Sequence, residues 1–388
     1  MGGGGQQSGD VARNAVFRLL GAAFFSWLLS TTFFVGNVLA LISVLVVRPI
    51  RRDWHDHFLD AMASVGWGTI VDYAEHIGRL APVITGDLAA LAHPDHPFHK
   101  GNKIVVANHS TAGDPLALFV LGHRLRRIGN MRFMVKGVLF LFPVLGLAAY
   151  FLDFIFLRRK WNQDQVSIRR MFHSMVESTT HKRHFWICLF PEGTRLTPDK
   201  LRESQAFAAA KQLPQLRHVL VPRVKGLQMT LELLRHNVDA LIDVTIAYSV
   251  RKHPASSPSD RACAEDAGHL ANLGEIRPGL GDLLLYRSAE RDWPVHMHVR
   301  VIPIADIFAD GDSEKGISEW IIKLYQEKDA LLEHFNTHGC FPGPPNDLPP
   351  SSCGRMAMGF AAYSLVASVG AGMLAFGMMA AASFMDRI

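Results

Sequence analysis

No charged residue interrupts the chain from Leu19 to Val47, a run of 29 positions. A helix needs roughly 20 residues, at ~1.5 Å each, to cross the hydrocarbon layer. A membrane anchor is therefore expected over residues 15–50. The run exceeds one simple crossing, so a helical hairpin or a tilted interfacial helix stays open. A cleavable signal peptide fits poorly, because the apolar stretch is about twice the usual ~7–15 residue core. Arg48, Arg51 and Arg52 follow the run and outweigh Arg13 and Arg18 before it. The positive-inside rule then puts the following domain on the cytosolic face. A second charge-free run, Met356 to Met385, spans 30 positions and predicts a C-terminal membrane helix over 356–385.

Residues 1–14 begin Gly-rich and are expected to be disordered. Gln6 stands where an N-myristoylation signal wants Ser or Thr, which excludes that reading. The formal net charge of +5 comes without a nucleic-acid recognition signature. Anionic lipid headgroups and substrate phosphates account for it as well. Cys188, Cys263, Cys340 and Cys353 have neither metal-like nor disulfide spacing. Cys188 sits in an apolar run and reads as a buried, inert thiol.

Between the two apolar runs, residues 51–340 read as one α/β catalytic domain, a central, mostly buried β-sheet flanked by helices. Asp53–Ala92 has helical spacing. Strands are expected at Lys103–Ala107, Phe185–Phe190, His218–Pro222, Leu241–Tyr248 and Val295–Ile302. Helices are expected at Pro115–Leu125, Asp164–Thr179, Leu227–His236 and Ile317–Phe335. Residues 251–294 are broken by Pro, Ser and Gly and read as an irregular surface insertion. Residues 341–355 read as a Pro-rich linker. His296 and His298 alternate on one strand, and without a carboxylate or cysteine partner they read as a polar sheet face.

Two polar loops carry the chemistry. Asn108-His109-Ser110-Thr111-Ala112-Gly113-Asp114 follows a strand, which puts His109 at the carboxyl edge of the sheet, where α/β folds bind ligands. Asp114, near a helix start, can hold one imidazole nitrogen and leave the other to take a proton from an alcohol. The spacing alone is weak: with 19 histidines, about one match is expected by chance. His55 and Asp60 repeat it without a preceding strand and read as a solvated or interfacial helix face. The second loop, Phe190-Pro191-Glu192-Gly193-Thr194-Arg195, offers a tight glycine turn and a guanidinium fork suited to phosphate. In it, Glu192 holds Arg195 or bonds a glycerol hydroxyl.

His-x4-Asp followed by Phe-Pro-Glu-Gly-Thr-Arg resembles the glycerolipid acyltransferase family. Tyr150–Trp161, with Arg158 and Arg159, and Leu220–Gly226 look like two further blocks of that family. Asp243–Tyr248 and Leu324–Leu331 resemble the eukaryotic 1-acylglycerol-3-phosphate acyltransferases in particular. The resemblance covers Phe98 to Gly343 and thins across the insertion.

The resemblance implies His109 as general base and Asp114 as its orienting partner. It further implies Glu192, Gly193, Thr194 and Arg195 as acceptor-binding residues, with Arg158 or Arg159 as a second phosphate contact. The implied reaction moves an acyl group from acyl-CoA to the sn-2 hydroxyl of lysophosphatidic acid, giving phosphatidic acid. No metal and no tightly bound cofactor are called for. Another lysophospholipid acceptor is the alternative. A serine hydrolase is disfavoured because no Gly-x-Ser-x-Gly elbow occurs. The implied setting is the endoplasmic reticulum bilayer with the domain facing the cytosol, and the oligomeric state is left open.

Two segments stay open beside these motifs. Gly137–Leu152, 16 residues without charge, is too short to cross comfortably. It lines an acyl channel, dips into one leaflet, or is plain core. Arg124, Arg126, Arg127, Arg132 and Lys136 read as a solvated or membrane-facing helix, with the phosphates of coenzyme A as the other possible contact.

Overall fold

The computed structural model describes residues 29–76, 80–179, 183–249, 251–252, 291–292, 294–309 and 313–346, with scattered single positions besides. The expected disordered start (1–14) and C-terminal helix (356–385) lie outside the described residues, a single position apart. So do most of the insertion and the later part of the linker.

Helix α1 (Leu29–Val47) is the one described helix long and apolar enough to cross a membrane. Its side chains Phe34, Leu41, Leu45 and Val46 are exposed. Helix α2 (Arg52–His76) follows it. The expected helix over 53–92 is broken here. Strand β1 (Ala81–Gly86) and short helix α3 (Leu88–Ala92) occupy its second half. Val83, Ile84 and Thr85 favour an extended chain, and Gly86 ends the strand at φ +91°, a conformation L side chains rarely adopt.

Then come β2 (Lys103–Ala107), α4 (Asp114–Arg124), β3 (Met131–Lys136), α5 (Pro143–Phe151), β4 (Ile155–Leu157) and α6 (Trp161–Thr179). They lead to β5 (Trp186–Leu189), α7 (Pro198–Ala210), α8 (Val224–Leu234) and β6 (Ala240–Tyr248). A two-residue ribbon, β7 (Arg251–Lys252) with β8 (Arg291–Asp292), brackets the insertion. Strand β9 (Pro294–Pro303), short α9 (Ile304–Ile307) and long α10 (Glu314–His338) complete the domain.

Seven strands form one sheet in the order β1-β9-β6-β2-β5-β3-β4. Pairing is parallel except between β6 and β9, so β1 and β9 run against the rest. The central strands are buried on both faces, as expected of parallel strands covered by helices. Alternation divides their side chains. Ile104, Val106, Ile187 and Leu189 join the core beneath α6, α8 and α10, while Val105, Ala107, Cys188 and Val244 join the core beneath α2 and α4. Cys188 is fully buried, as expected, and burial pushes its thiol pKa up.

Three further expectations are corrected. His218–Pro222 is not a strand. The backbone N–H groups of Arg217, His218 and Val219 donate to Asp329, those of Leu220 and Val221 to Glu192 and Ser204, so side chains replace a ladder. Residues 124–136 are not one helix: Arg124 ends α4, a turn and a short 3-10 helix (Ile128–Asn130) follow, and β3 carries Arg132, which is fully buried. Arg124 pairs with Glu75, and Arg127 donates to the His99 carbonyl. Nor are His55 and Asp60 a solvated face: His55 bonds Ser43, and Asp60 holds both Arg132 and Arg183.

Gly137–Leu152 forms 3-10 turns and α5, with Val138, Phe140, Leu141, Phe142 and Tyr150 exposed, which excludes plain core. His296 bonds Ser249 and His298 bonds Thr85, so the face they share is polar but largely covered. The linker starts packed along β1, where the Asn346 backbone N–H donates to the Ile84 carbonyl at 2.7 Å.

The Asp60 pairing yields a test. Removing one partner of a buried ion pair strands the other charge and costs about 3–5 kcal/mol, against under ~1 kcal/mol for a surface pair. Asp60→Ala should therefore lower the melting temperature of the detergent-solubilised protein by many degrees. A shift of a degree or less would show that the pair is solvated after all.

Candidate active site

Strand β2 stops at Ala107 while β6, beside it, continues to Tyr248. The side chain of Asn108 fills the vacated edge. Its amide nitrogen donates to the Ile246 carbonyl at 3.0 Å, and its oxygen accepts the Ile246 N–H at 2.7 Å. The loop after β2 is thus pinned to β6 as though the ladder ran on.

His109 comes next and is fixed from several sides. Its Nδ1 lies 2.8 Å from Asp114 Oδ2. Its ring stacks on Phe190 with centroids 4.4 Å apart. Its carbonyl accepts the Leu196 N–H, and its own N–H donates to Glu192 Oε1 at 2.8 Å. Asp114 begins α4, where an anion is favoured by the helix dipole, and its side chain is fully buried. A buried carboxylate beside Nδ1 favours the tautomer with its proton there and leaves Nε2 as acceptor. Thr111 N–H and Tyr248 Oη–H each donate to Asp114 at 2.8 Å, and Ser110 Oγ lies at 3.4 Å.

Glu192 does not hold Arg195. Its carboxyl is buried and accepts two backbone N–H groups, from His109 and from Leu220 at 3.2 Å. Burial pushes its pKa up to about 8, although both of those bonds act to lower it. Gly193 adopts φ +68°, a backbone state that favours glycine, and its carbonyl accepts from Arg159 Nη2 at 2.9 Å. That contact separates the two arginines. Arg159 lines the cavity beside the turn, whereas Arg158 does not, and its N–H donates to Asp164.

His109, Arg159, Glu192, Gly193, Thr194 and Arg195 all open onto one cavity of about 1580 Å³. One part of its wall is apolar, with Leu29 and Phe33 of α1, Trp67 of α2, and Val138 and Phe142. Another part is cationic, adding Lys136, Lys200, Arg223 and Lys225. Desolvation, then the charges of Arg159 and Arg195, lowers the Lys136 pKa. The three cations therefore form one cluster, and Lys136 belongs to the cavity instead of a solvated helix. The Ser110 and Ser204 hydroxyls are engaged with Asp114 and the Val221 N–H.

Sequence reasoning missed Tyr248 as a site residue, and it named Lys136 only within a basic stretch with the phosphates of coenzyme A as one possible contact. A tyrosine ending a wholly buried strand needs a partner for its hydroxyl, which was a usable signal for Tyr248. Lys136 separates from the rest of that stretch once β3 is seen as a strand that ends at the cavity.

A family model described as Acyltransferase matches residues 90–234, and one described as Acyltransferase C-terminus matches residues 289–360. The chain is 32% identical over 299 residues to the 1-acyl-sn-glycerol-3-phosphate acyltransferase gamma of Homo sapiens, covering 77% of this chain and 69% of that one. The Mus musculus gamma protein is 30% identical over the same shares. The probable 1-acyl-sn-glycerol-3-phosphate acyltransferase 5 of Arabidopsis thaliana is 33% identical over 62% of this chain and 55% of its own length.

Glu192 makes a pH-dependent prediction. An acid whose folded pKa is raised binds its proton more tightly folded than unfolded, so it favours folding most at low pH. That contribution fades as pH climbs from about 4.5 towards about 8. Melting temperatures of wild type and Glu192→Gln should converge or cross over that window, the wild type losing more. Parallel curves would mean that Glu192 ionises normally.

Proposed function

The chain belongs to the 1-acyl-sn-glycerol-3-phosphate acyltransferase family, and on that premise we propose that it acylates lysophosphatidic acid from acyl-CoA with His109 as general base. His109 Nε2 takes the proton of the sn-2 hydroxyl as that oxygen attacks the thioester carbonyl. The resulting oxyanion collapses, the C–S bond breaks, and the coenzyme A thiolate leaves with the proton returned by the imidazolium. Asp114 stabilises the transient imidazolium and fixes its tautomer. Arg195, Arg159 and Lys136 take the acceptor phosphate, Arg as a planar fork and Lys as a point charge. Gly193 and Thr194 shape the turn that presents Arg195, and Glu192 positions it by bonding the His109 and Leu220 backbones.

One observation carries the reading: a single cavity has the imidazole, an apolar wall and a cluster of cations. An acyl donor and a phosphorylated alcohol need all three. The apolar helix α1 and the basic residues after it support a site at the cytosolic surface of a membrane, and the family resemblance supports the endoplasmic reticulum as that membrane.

His109→Ala should lower transfer from labelled acyl-CoA by roughly 10²–10⁴-fold, the usual worth of a general base, with an unchanged melting curve. Normal turnover in that folded variant would remove the mechanism. The arginines give a second test. Arg159→Ala should raise KM for lysophosphatidic acid by about tenfold or more, the loss of one charge-assisted contact, while Arg158→Ala stays within about twofold. The reverse ranking would reassign the phosphate contact. In the same assay, equal use of headgroup-bearing lysophospholipids would move the acceptor to that class.

A further inference from the structure

The Asp114 carboxylate is held unevenly. Its Oδ2 faces the His109 ring and the Thr111 N–H, both at 2.8 Å and both within its own loop. The short contact to its Oδ1 comes from Tyr248, at the far end of β6 and 134 residues away, at 2.8 Å, against 3.4 Å for Ser110. Asn108 clamps Ile246 in both directions two residues earlier, so the phenol cannot drift from the loop it serves. The Tyr248 ring packs in the core beneath α2 and α4, where a phenylalanine ring would fill the same space. The hydroxyl is then explained by its bond to Asp114.

We propose that Tyr248 is a positioning residue for transfer, its hydroxyl holding Asp114 so that the His109 ring keeps one orientation. The proposal rests on His109 being the base. A donor to a carboxylate draws charge from it. Without that donor the carboxylate grips the His109 proton harder, and the imidazole becomes more basic. The charged and titratable groups around this pair are Glu192, from the loop after β5, beyond it Lys328 and Tyr325 of α10 with Asp243 of β6, and on the cavity side Lys136, Arg159 and Arg195. Across from Tyr248 and Ile246, β9 presents Val295 and Met297, which carry no charge.

The test is the pH dependence of kcat/KM for lysophosphatidic acid from about pH 5 to about pH 9, with the purified full chain in bilayer nanodiscs. Tyr248→Phe should lower kcat by roughly tenfold, hold both KM values within about twofold, and move the acid limb up. Replacing Tyr248 by 3-fluorotyrosine, a stronger donor of nearly the same shape, should move that limb down. A folded Tyr248→Phe protein with wild-type kcat and an unmoved limb overturns the proposal. If the phenylalanine variant does not fold, an unmoved limb in the fluorinated protein overturns it equally. A merely structural tyrosine would lower the melting temperature and leave the limb where it was. Normal turnover in His109→Ala sinks the base itself, whereas a wild-type profile in Tyr248→Phe sinks this inference alone.

Discussion

A carboxyl group buried away from water joins the two loops of the site. Glu192 accepts one N–H from His109 and another from Leu220, residues that precede and follow it by 83 and 28 positions. Buried backbone donors left unpaired cost about 1–3 kcal/mol each, so the three segments come together or all pay a penalty. Burial raises the acid's pKa, although both backbone donors act to lower it. Helix α10 extends the pattern with neighbouring residues of opposite charge. Lys328 donates to the Val244 carbonyl and lies against Asp243, gripping β6, while Asp329 caps the N–H groups of residues 217–219. One helix therefore steadies the strand that carries Tyr248 and the segment that ends at Leu220.

The cavity these contacts frame is unlike on its two sides. Its apolar wall is built by α1, α2 and the segment 137–151, which also expose large apolar side chains on the outer surface. Exposed apolar surface of that kind is unfavourable in water, at roughly 25 cal/mol per Å². On the proposed reading a bilayer covers it, and an acyl chain reaches the cavity without crossing water. The cations come from other elements, the end of β3, the turns after β4 and β5, α7 and the start of α8. His109 lines the same cavity, and the proposed reaction needs charge and hydrocarbon together there.

The central strands and flanking helices were legible in the sequence because burial on both faces leaves uninterrupted β-branched runs and one-sided burial leaves a helical period. Segments with another source of hydrogen bonds were misread. Residues 218–222 have a strand's composition, but Asp329, Glu192 and Ser204 accept from the backbone that a neighbouring strand would otherwise serve. Strand β3 carries Arg132 and Lys136, and such charges suggested solvent. The sequence could not reveal that Arg132 meets Asp60, which is 72 positions earlier. Likewise, the polar loops announced His109, Asp114 and Arg195 through residue type and order. The choice between Arg158 and Arg159, and the role of Glu192, depended on which way a turn faces.

The repeated His-x4-Asp spacing makes the same point in one molecule. In a helix, five positions turn through about 500°, which leaves the two side chains roughly 140° apart. His55 and Asp60 lie in α2, and they diverge accordingly: His55 reaches Ser43 of α1, while Asp60 reaches Arg132 and Arg183. His109 and Asp114 instead span a loop and the first residue of α4. Thr111 and Gly113 bend the backbone there, through the Thr111 Oγ1 bond to Gly113 N–H, until imidazole and carboxylate meet at 2.8 Å. Identical spacing thus brings a histidine and an aspartate together only where the chain is free to curl. The strand before the motif matters because it delivers that curl at the open edge of the sheet, where the paired imidazole also faces the cavity.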